Sequence, residues 1–215
     1  MLRSRHQLIT QSSADLSVLP DESIDLVVTS PPYPMIEMWD KTFAGQDRSG
    51  AIDQALSAGK GAEAFELMHG LLDRVWRECY RLLKPGAFAC INIGDATRTV
   101  GGNFRLYANH ARIISGCTAL ELQSLPAILW RKQTNGPTKF MGSGMLPAGA
   151  YVTLEHEYIL IFRKGDKRRF TEDEKMRRRE SAFFWEERNT WFSDLWDLKG
   201  IRQRLDYGEE NADTE

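Results

Sequence analysis

The chain has 215 residues, of which 42% are hydrophobic, and its formal net charge is −2. This length suffices for one α/β domain with a substantial core. A charge so close to zero excludes an overall basic or acidic character, so any charged surface must be local. The three cysteines are scattered without the spacing of a metal site, which is typical of reduced thiols in a cytosolic protein. No apolar stretch reaches membrane length and the N-terminus lacks a signal-peptide core, so we expect a soluble, cytoplasmic protein without membrane contact.

The first segment leads into a short apolar strand. Residues 7–10 predict a short strand, residues 14–19 a helical turn capped by Ser13, and residues 20–23 a turn. The apolar run at residues 24–28 is typical of a short, buried, parallel strand. A ligand site is therefore expected where this strand ends, because open α/β sheets bind ligands at the carboxyl ends of their strands.

The strand runs into the sequence Thr29-Ser30-Pro31-Pro32-Tyr33. Two successive prolines fix their own φ angles and lack N–H groups, so the turn is stiff and cannot continue a strand ladder. The Ser30 hydroxyl and the Pro31 carbonyl are two acceptors that could bind the N–H groups of an exocyclic amine. Tyr33 offers a ring on which a base could stack, provided that the base has been flipped out of a duplex.

Residues 19–33 strongly resemble the catalytic motif of the amino-methylating DNA methyltransferases, which act on N4 of cytosine or N6 of adenine. The resemblance implies catalytic roles for Ser30, Pro31, Pro32 and Tyr33, a double-stranded DNA substrate with a flipped base, and S-adenosylmethionine as the cofactor. It implies cofactor contacts by Thr29 and Ser30. Relatives often carry an acidic residue near the cofactor in the first segment, and Asp15 is the corresponding candidate, slightly displaced. Serine before the two prolines is the form associated with N4-cytosine members, whereas N6-adenine or RNA methylation is the alternative.

The stretch after the motif, residues 34–61, is predicted to be irregular and to close over substrate. Within it, Trp39 either walls the base pocket or packs the loop onto the core. The spacing of apolar residues then predicts a helix over residues 62–83, a corner at residues 84–86 and a buried strand over residues 87–93.

Asp95 follows that strand and is expected at the same sheet edge as the proline turn. It either accepts a hydrogen bond from the target amine or orients Ser30, or it forms an Asx turn or the N-cap of the segment that follows. Residues 98–103 predict a glycine-containing loop and residues 104–116 a second helix. On that helix His110 is interpreted as a surface or half-buried residue without a partner.

The remaining motifs extend the resemblance to the same family. Residues 120–132 predict a strand ending in a W-x-K segment, and His156–Lys164 matches the family's H-E-x-I-L-x-F-x-K strand. The string at residues 140–144 fits the family's F-x-G-x-G cofactor pattern, but it neither follows a strand nor opens a helix, so we interpret it as a fortuitous match. A role in base contact is the alternative for that loop. No second histidine follows His156-Glu157 at helical spacing, which excludes zinc-protease chemistry.

The C-terminal part, residues 165–200, is predicted to be the target-recognition and connecting segment. Its basic residues Lys167, Arg168 and Arg169 are expected to meet phosphates, although interleaved acidic residues fit a solvated helix equally well. An aromatic-rich stretch follows, and residues 193–198 resemble the segment that returns to the catalytic domain. Residues 201–215 form the tail, and its acidic stretch from Glu209 is expected to be disordered.

We therefore expect an α/β fold in which residues 1–164 form the catalytic half of a methyltransferase domain. This half would be a partial Rossmann-like sheet with flanking helices and a less regular C-terminal recognition segment. In the family arrangement with the catalytic motif first, the cofactor-binding half follows residue 200, and its motifs are not found there. The chain is therefore expected to be a truncated product or one subunit of a split methyltransferase. A second polypeptide, or a further copy of the chain, is expected to supply that half. The competing hypothesis is a non-catalytic half-domain that binds DNA or a partner enzyme.

Overall fold

A computed structural model describes residues 4–132, 152 and 154–198 and shows a mixed α/β domain. Seven strands are present in these residues: β1 (Ile24–Thr29), β2 (Leu83–Ile93), β3 (Ala96–Val100), β4 (Asn103–Tyr107), β5 (Leu122–Lys132), β6 (His156–Lys164) and β7 (Leu195–Leu198). The α-helices are α1 (Asp40–Gln46), α2 (Ala51–Ser57), α3 (Gly61–Leu82), α4 (Asn109–Ala119), α5 (Glu172–Glu180) and α6 (Trp185–Trp191). A 3₁₀ helix, Glu37–Trp39, precedes α1.

Five of the strands form one sheet in the order β1-β2-β6-β5-β7. β1 is parallel to β2 and β7 is parallel to β5, whereas β6 is antiparallel to both of its neighbours. Consequently β1 and β2 end at the same edge of the sheet at which β6 begins. The predicted Rossmann-like sheet is confirmed, and this edge is the one that carries the proline turn.

The core lies between one face of the sheet and the helices. The long helix α3 buries an apolar stripe that includes Met68, Leu72 and Trp76, as its periodicity predicts. In the sheet, alternate residues of β2 and β6 are buried, among them Ile91 and Phe162. The predicted helix over residues 62–83 and the predicted strand His156–Lys164 are both confirmed, the helix within one residue at each end.

The opposite side of the sheet, here called the open face, is apolar and is exposed or half-buried. By the strand register it carries Leu26, Val28, Phe88, Cys90, Ile159 and Ile161. Leu26 is 54% exposed and Val28 72% exposed. The prediction that β1 is buried was therefore wrong, because β1 lies at the edge of the sheet and only one of its faces meets the core. Its parallel pairing was correct.

Two regions form regular structure that was not predicted for them. Residues 96–107 form a β-hairpin rather than a loop and the start of a helix, since Gly101 and Gly102 both adopt the positive φ that a tight hairpin turn requires. Residues 34–61 contain two short helices and a 3₁₀ turn instead of an irregular loop. The short strand predicted at residues 7–10 is not formed.

The N-terminal segment is held at the end of the sheet opposite the proline turn. Arg81, in the last turn of α3, donates to the carbonyl oxygens of Leu16 and Leu19, and Glu78 accepts the Leu16 backbone N–H. At the other end of the chain, α5 and α6 are exposed, and β7 returns to pair with the end of β5. Among the described residues, no helix combines the length and apolar character needed to cross a bilayer.

Candidate active site

The proline turn leaves β1 at the edge of the sheet with one side exposed. Pro31 and Pro34 are buried, whereas Ser30 is exposed at the rim. The turn closes with a hydrogen bond of 3.2 Å from the Ile36 N–H to the Tyr33 carbonyl oxygen. Ser30 is therefore presented outward by residues that are fixed from below, as expected for a ligand-binding turn.

Asn109, which is completely buried, supports this turn from the core. Its side-chain Nδ2 donates to the Pro34 carbonyl oxygen at 3.1 Å and to the Gly94 carbonyl oxygen at 2.9 Å. These two carbonyl groups follow β1 and β2 respectively. One amide thus ties together the carboxyl ends of the two parallel strands.

Five polar side chains, here called the Tyr33 cluster, meet at the top of the open face: Ser30, Tyr33, Asn92, Lys132 and Glu157. The Tyr33 hydroxyl donates to Glu157 Oε2 at 2.9 Å and accepts from Asn92 Nδ2 at 2.8 Å. Asn92 Nδ2 also donates to Glu157 Oε2 at 2.7 Å, and Lys132 Nζ donates to Glu157 Oε1 at 2.6 Å. The Ser30 hydroxyl lies 3.3 Å from the Tyr33 hydroxyl oxygen.

The cluster fixes the protonation states of its two acids. Burial is the largest influence on Glu157 and by itself raises its pKa, but the hydrogen bonds from Lys132, Asn92 and Tyr33 together outweigh burial and lower the pKa. The pKa of Tyr33 is raised well above its usual value, chiefly by burial; the hydrogen bond with Ser30 opposes this rise, while the negative charge of Glu157 and the hydrogen bond to it add to the rise. Glu157 is therefore ionised and Tyr33 neutral at physiological pH.

Gly94, at the end of β2, makes room for the Tyr33 ring. A Cβ atom at Gly94 would lie 3.1 Å from Tyr33 Cε2 and 3.2 Å from Glu157 Cγ, closer than ordinary van der Waals contact. A hydrogen atom at this position allows the ring and the carboxylate to approach β2, and so sets the place of the Tyr33 hydroxyl.

Asp95 lies next to this site, and its carboxylate is engaged with α4. Its Oδ1 accepts the backbone N–H of His110 at 3.1 Å, and its Oδ2 lies 2.7 Å from the ring Nδ1 of His110. Asp95 therefore bonds to the first turn of α4, whose N-cap residue is Ala108, and not to the residues that directly follow it. A contact between Asp95 and the target amine stays a prediction. The expectation that His110 lacks a partner was wrong, since it pairs with Asp95 and stacks on Tyr158 with ring centroids 4.0 Å apart.

The other predicted site residues lie at varying distances from the turn. Thr29 is half-buried at the end of β1, and Trp39 is half-buried against the core, as its packing alternative expects. Asp15 is exposed in the N-terminal segment and accepts the Ser17 backbone N–H. This segment lies near the C-terminal end of α3, where Leu16 bonds to Glu78, and not beside Ser30. Its cofactor role stays a prediction. The glycine-containing string at residues 140–144 lies outside the described residues.

The three basic residues Lys167, Arg168 and Arg169 follow the end of β6 and lie at the edge of the sheet opposite the proline turn. Arg168 is half-buried and donates to Asp25 Oδ1 at 2.8 Å, so its guanidinium is already paired with the amino end of β1. Lys167 and Arg169 are exposed. The structure does not bring any of these three side chains to the proline turn, and phosphate contact by Lys167 and Arg169 stays a prediction.

Sequence reasoning missed three members of the Tyr33 cluster: Asn92, Lys132 and Glu157. Asn92 is a lone polar residue between Ile91 and Ile93 in an otherwise apolar strand, which is a sign of a buried polar role. Lys132 and Glu157 stand in segments already singled out as family-like. Nothing in the sequence pairs them with each other or with Tyr33, because that pairing depends on the order of strands in the sheet.

Fold and site together define a Rossmann-like α/β domain that presents a Ser-Pro-Pro-Tyr turn at the carboxyl end of an edge strand. Residues 24–212 match the family model of the N6- and N4-type DNA methylases, and the chain belongs to this family.

The chain is 54% identical over 209 residues to the type II methyltransferase M.MthZI of Methanothermobacter thermautotrophicus, covering 96% of this chain and 58% of the relative. It is 44% identical to the type II methyltransferase M.MjaI of Methanocaldococcus jannaschii, covering 94% of this chain and 69% of the relative. This chain therefore spans less than two thirds of the length of M.MthZI.

Among solved structures, the fold is similar to a protein of Thermus thermophilus, assigned as a DNA modification methylase and solved in complex with S-adenosyl-L-methionine. The TM-score is 0.61 at 32% identity, and the match covers 85% of this chain and 64% of that one.

Proposed function

We propose that this chain carries the catalytic site of an S-adenosylmethionine-dependent DNA methyltransferase that methylates the exocyclic N4 of cytosine. The observation that carries the proposal is that Ser30 is exposed at the carboxyl end of β1 and that its hydroxyl contacts the Tyr33 hydroxyl, which is fixed by Glu157. Membership of the N6/N4 family supports the reaction class. The serine before the two prolines favours cytosine, and adenine N6 is the alternative.

Ser30 and Pro31 would bind the amine that is to be methylated. The nitrogen lone pair of cytosine N4 is delocalised into the ring, so the amine is a poor nucleophile. Two acceptors, the Ser30 hydroxyl oxygen and the Pro31 carbonyl oxygen, would take its two N–H groups and draw the nitrogen toward tetrahedral geometry. The prolines stiffen the turn and Asn109 anchors it, so this alignment does not have to be formed during the reaction.

The oxygen atoms at the carboxyl end of β1 suit the positively charged sulfonium group of S-adenosylmethionine, which carries the methyl group to be transferred. Thr29 is half-buried and Ser30 exposed at the end of β1, and each carries a hydroxyl oxygen and a backbone carbonyl oxygen, on a strand whose outer edge pairs with no other described strand. When bound, S-adenosylmethionine supplies an electrophilic methyl group. Thr29 and Ser30 are the residues that would hold this end of the cofactor. Asp15 is retained as a further candidate contact.

The open face and the outer edge of β1, which pairs with no strand in the part of the chain that the structure describes, would pack against the cofactor-binding half of the enzyme. An exposed strand edge with exposed apolar side chains such as Leu26 and Val28 is unfavourable in water and is normally covered. The greater length of M.MthZI is consistent with such a half. We propose that a Rossmann-type segment, from the same polypeptide or from a second one, adds to β1 and covers the open face.

DNA would approach from the edge that carries the proline turn. The aromatic residues of α6 and β7 reach this edge, because β7 pairs with the last residues of β5, and Trp130 Nε1 donates to the Leu198 carbonyl oxygen at 3.0 Å. Trp191 packs edge-to-face against Trp196 nearby, with ring centroids 5.9 Å apart. Exposed aromatic rings of this kind suit stacking with unpaired bases. Tyr33 and Trp39, both half-buried, are further candidates for stacking with the flipped base.

The proposal is tested by methyl transfer from tritiated S-adenosylmethionine to duplex DNA, with the chain alone and with the cofactor-binding half of a relative. We expect label in DNA with wild type and at least a hundredfold less with Ser30→Ala, because one of two aligned acceptors is lost. The exposed Ser115→Ala variant, on the outer side of α4, serves as the control. DNA binding without any transfer under both conditions would instead favour the non-catalytic half-domain.

A further inference from the structure

The Tyr33 hydroxyl has one proton to give and lies within hydrogen-bond distance of three groups: Ser30, Asn92 and Glu157. A phenol donates one hydrogen bond and can accept two. The direction of each of the three hydrogen bonds is therefore determined once the acceptor of the phenol proton is known.

Glu157 takes that proton. As a carboxylate it can only accept hydrogen bonds, and the salt bridge to Lys132 at 2.6 Å keeps it ionised. The Asn92 amide must then turn its NH₂ group toward the cluster, because Nδ2 lies 2.7 Å from Glu157 Oε2 and a carboxylate cannot donate to an amide oxygen. The same NH₂ group donates its second proton to the Tyr33 oxygen.

Only one direction remains for the contact between Ser30 and Tyr33. The phenol proton is used toward Glu157, so the Ser30 hydroxyl donates to the Tyr33 oxygen. Both lone pairs of Ser30 then face outward. We infer that Glu157, acting through the Tyr33 hydroxyl, is a positioning residue that keeps Ser30 a hydrogen-bond acceptor toward the target amine. This inference rests on the proposed function for its substrate, although the hydrogen-bond direction can be measured separately.

Replacing Glu157 by glutamine would reverse the chain of hydrogen bonds. Lys132 would hold the amide oxygen of the new side chain and leave its NH₂ group facing Tyr33. The same NH₂ group would face the Asn92 NH₂ group, since Asn92 Nδ2 lies 2.7 Å from the replaced oxygen, so the Asn92 amide would turn its oxygen inward. The Tyr33 proton would lose its carboxylate acceptor and be shared between the Asn92 oxygen and Ser30. The Ser30 proton would then no longer be held toward Tyr33 and would be free to turn outward. A hydroxyl proton in that place repels the N–H groups of an amine, so the variant is expected to impair the reaction rather than DNA binding.

The kinetic test is a cycle of Glu157→Gln and Tyr33→Phe in the methylating enzyme. We expect Glu157→Gln to lower kcat about 10- to 100-fold, the value of a charge-assisted hydrogen bond, with KM for DNA within about twofold. Because Glu157 acts through the phenol, adding Glu157→Gln to Tyr33→Phe should change kcat less than about twofold. An equal loss in both backgrounds would overturn the inference. Glu155→Gln, an exposed carboxylate two residues earlier, is the matched control.

The direction of the Ser30 hydrogen bond is tested on the chain without cofactor or DNA. Neutron diffraction on deuterium-exchanged crystals locates the deuterons of the two hydroxyl groups. We expect the Tyr33 deuteron on the side of Glu157 Oε2 and the Ser30 deuteron directed at the Tyr33 oxygen. A Tyr33 deuteron directed at Ser30 would overturn the inference. A wild-type enzyme that never methylates DNA would refute the proposed function, while the neutron result would still decide the direction of the hydrogen bonds.

Discussion

The Tyr33 hydroxyl donates a hydrogen bond of 2.9 Å to Glu157, a residue 124 positions further along the chain. Tyr33 follows β1 and Glu157 lies in β6, and Asn92 of the intervening β2 bonds to both of them. The candidate site is thus braced across three adjacent strands. Sites supported in this way hold their geometry better than sites formed by loops alone.

Substitution of Gly94 by alanine is expected to impair the reaction with little loss of stability. The new Cβ would lie 3.1 Å from the Tyr33 ring and would displace the ring by a few tenths of an ångström. We expect kcat to fall about tenfold or more, because catalytic alignment is sensitive to shifts of this size. Methylation kinetics and thermal unfolding measure the two effects.

The matched control for this substitution is Gly70→Ala on α3. An added Cβ at Gly70 meets nothing within 4 Å, and alanine at this exposed helical position should stabilise the fold by about 1 kcal/mol. Activity should not change. A Gly94→Ala enzyme as active as wild type would show that the position of the Tyr33 ring is unimportant.

Removal of the Asn109 side chain should destabilise the whole domain. Asn109→Ala leaves the carbonyl oxygens of Pro34 and Gly94 and the Nε2 of His69 buried without their partner. Each buried group without a partner costs about 1–3 kcal/mol, so we expect the free energy of unfolding to fall by about 2–5 kcal/mol in urea titrations. The control is Asn189→Ala at an exposed position, which should change the free energy of unfolding little. If Asn109→Ala lowers the free energy of unfolding no more than Asn189→Ala does, the role of Asn109 is refuted.

Stability should decrease below neutral pH because of His69. Burial is the main cause that lowers the pKa of His69 to about 4, and Nε2–H donates to Asn109 while the buried Nδ1 has no partner among the described residues. Between pH 6.5 and about 4 the unfolded chain binds a proton that the folded chain does not. Folding stability is therefore present above pH 6.5 and is lost as the pH falls, by about 3 kcal/mol in full.

Urea titrations of wild type and His69→Gln between pH 7.5 and 4 measure this effect. The wild type should lose more stability over this range than His69→Gln, which cannot take up the proton. His6→Gln, at an exposed histidine, should retain the wild-type dependence. Parallel curves for wild type and His69→Gln would contradict a neutral, buried His69.

The open face should be needed for assembly rather than for folding. Val28→Lys places a charge on a side chain that is 72% exposed, so the isolated chain should fold with nearly unchanged stability. Its affinity for the cofactor-binding half should decrease at least tenfold in titration calorimetry, since a buried lysine would lack a partner. Leu106→Lys, at a 52% exposed residue of β4, is the control, and equal affinities for the two variants would contradict docking at β1.

The proline turn could be predicted from sequence because its chemistry is local. Two prolines, a hydroxyl and a ring stand next to one another after an apolar run, and the structure places them at a carboxyl edge as expected. The long helix α3 and the strand β5 were also predictable, since each carries an apolar pattern long enough to indicate its element, and β6 was predicted from its resemblance to the family's H-E-x-I-L-x-F-x-K strand.

The remaining features depend on tertiary pairing. An isolated run at residues 24–28 does not show whether a strand lies in the centre or at the edge of a sheet, so the exposure of Leu26 and Val28 could not be predicted. The hairpin at residues 96–107 carries few apolar residues in alternation, and its decisive signal was the Gly101-Gly102 pair. The link from Tyr33 to Glu157 requires β6 to lie beside β2, which the sequence order does not show.

The central claim is that the Ser30 turn directs a methyl group to the exocyclic amine of cytosine. The most direct measurement is mass spectrometry of nucleosides from DNA incubated with the reconstituted enzyme and S-adenosylmethionine carrying a trideuterated methyl group. We predict trideuterated N4-methylcytosine with wild type and its loss with Ser30→Ala. Deuterium found in N6-methyladenine, or in no nucleoside at all, would contradict the assignment.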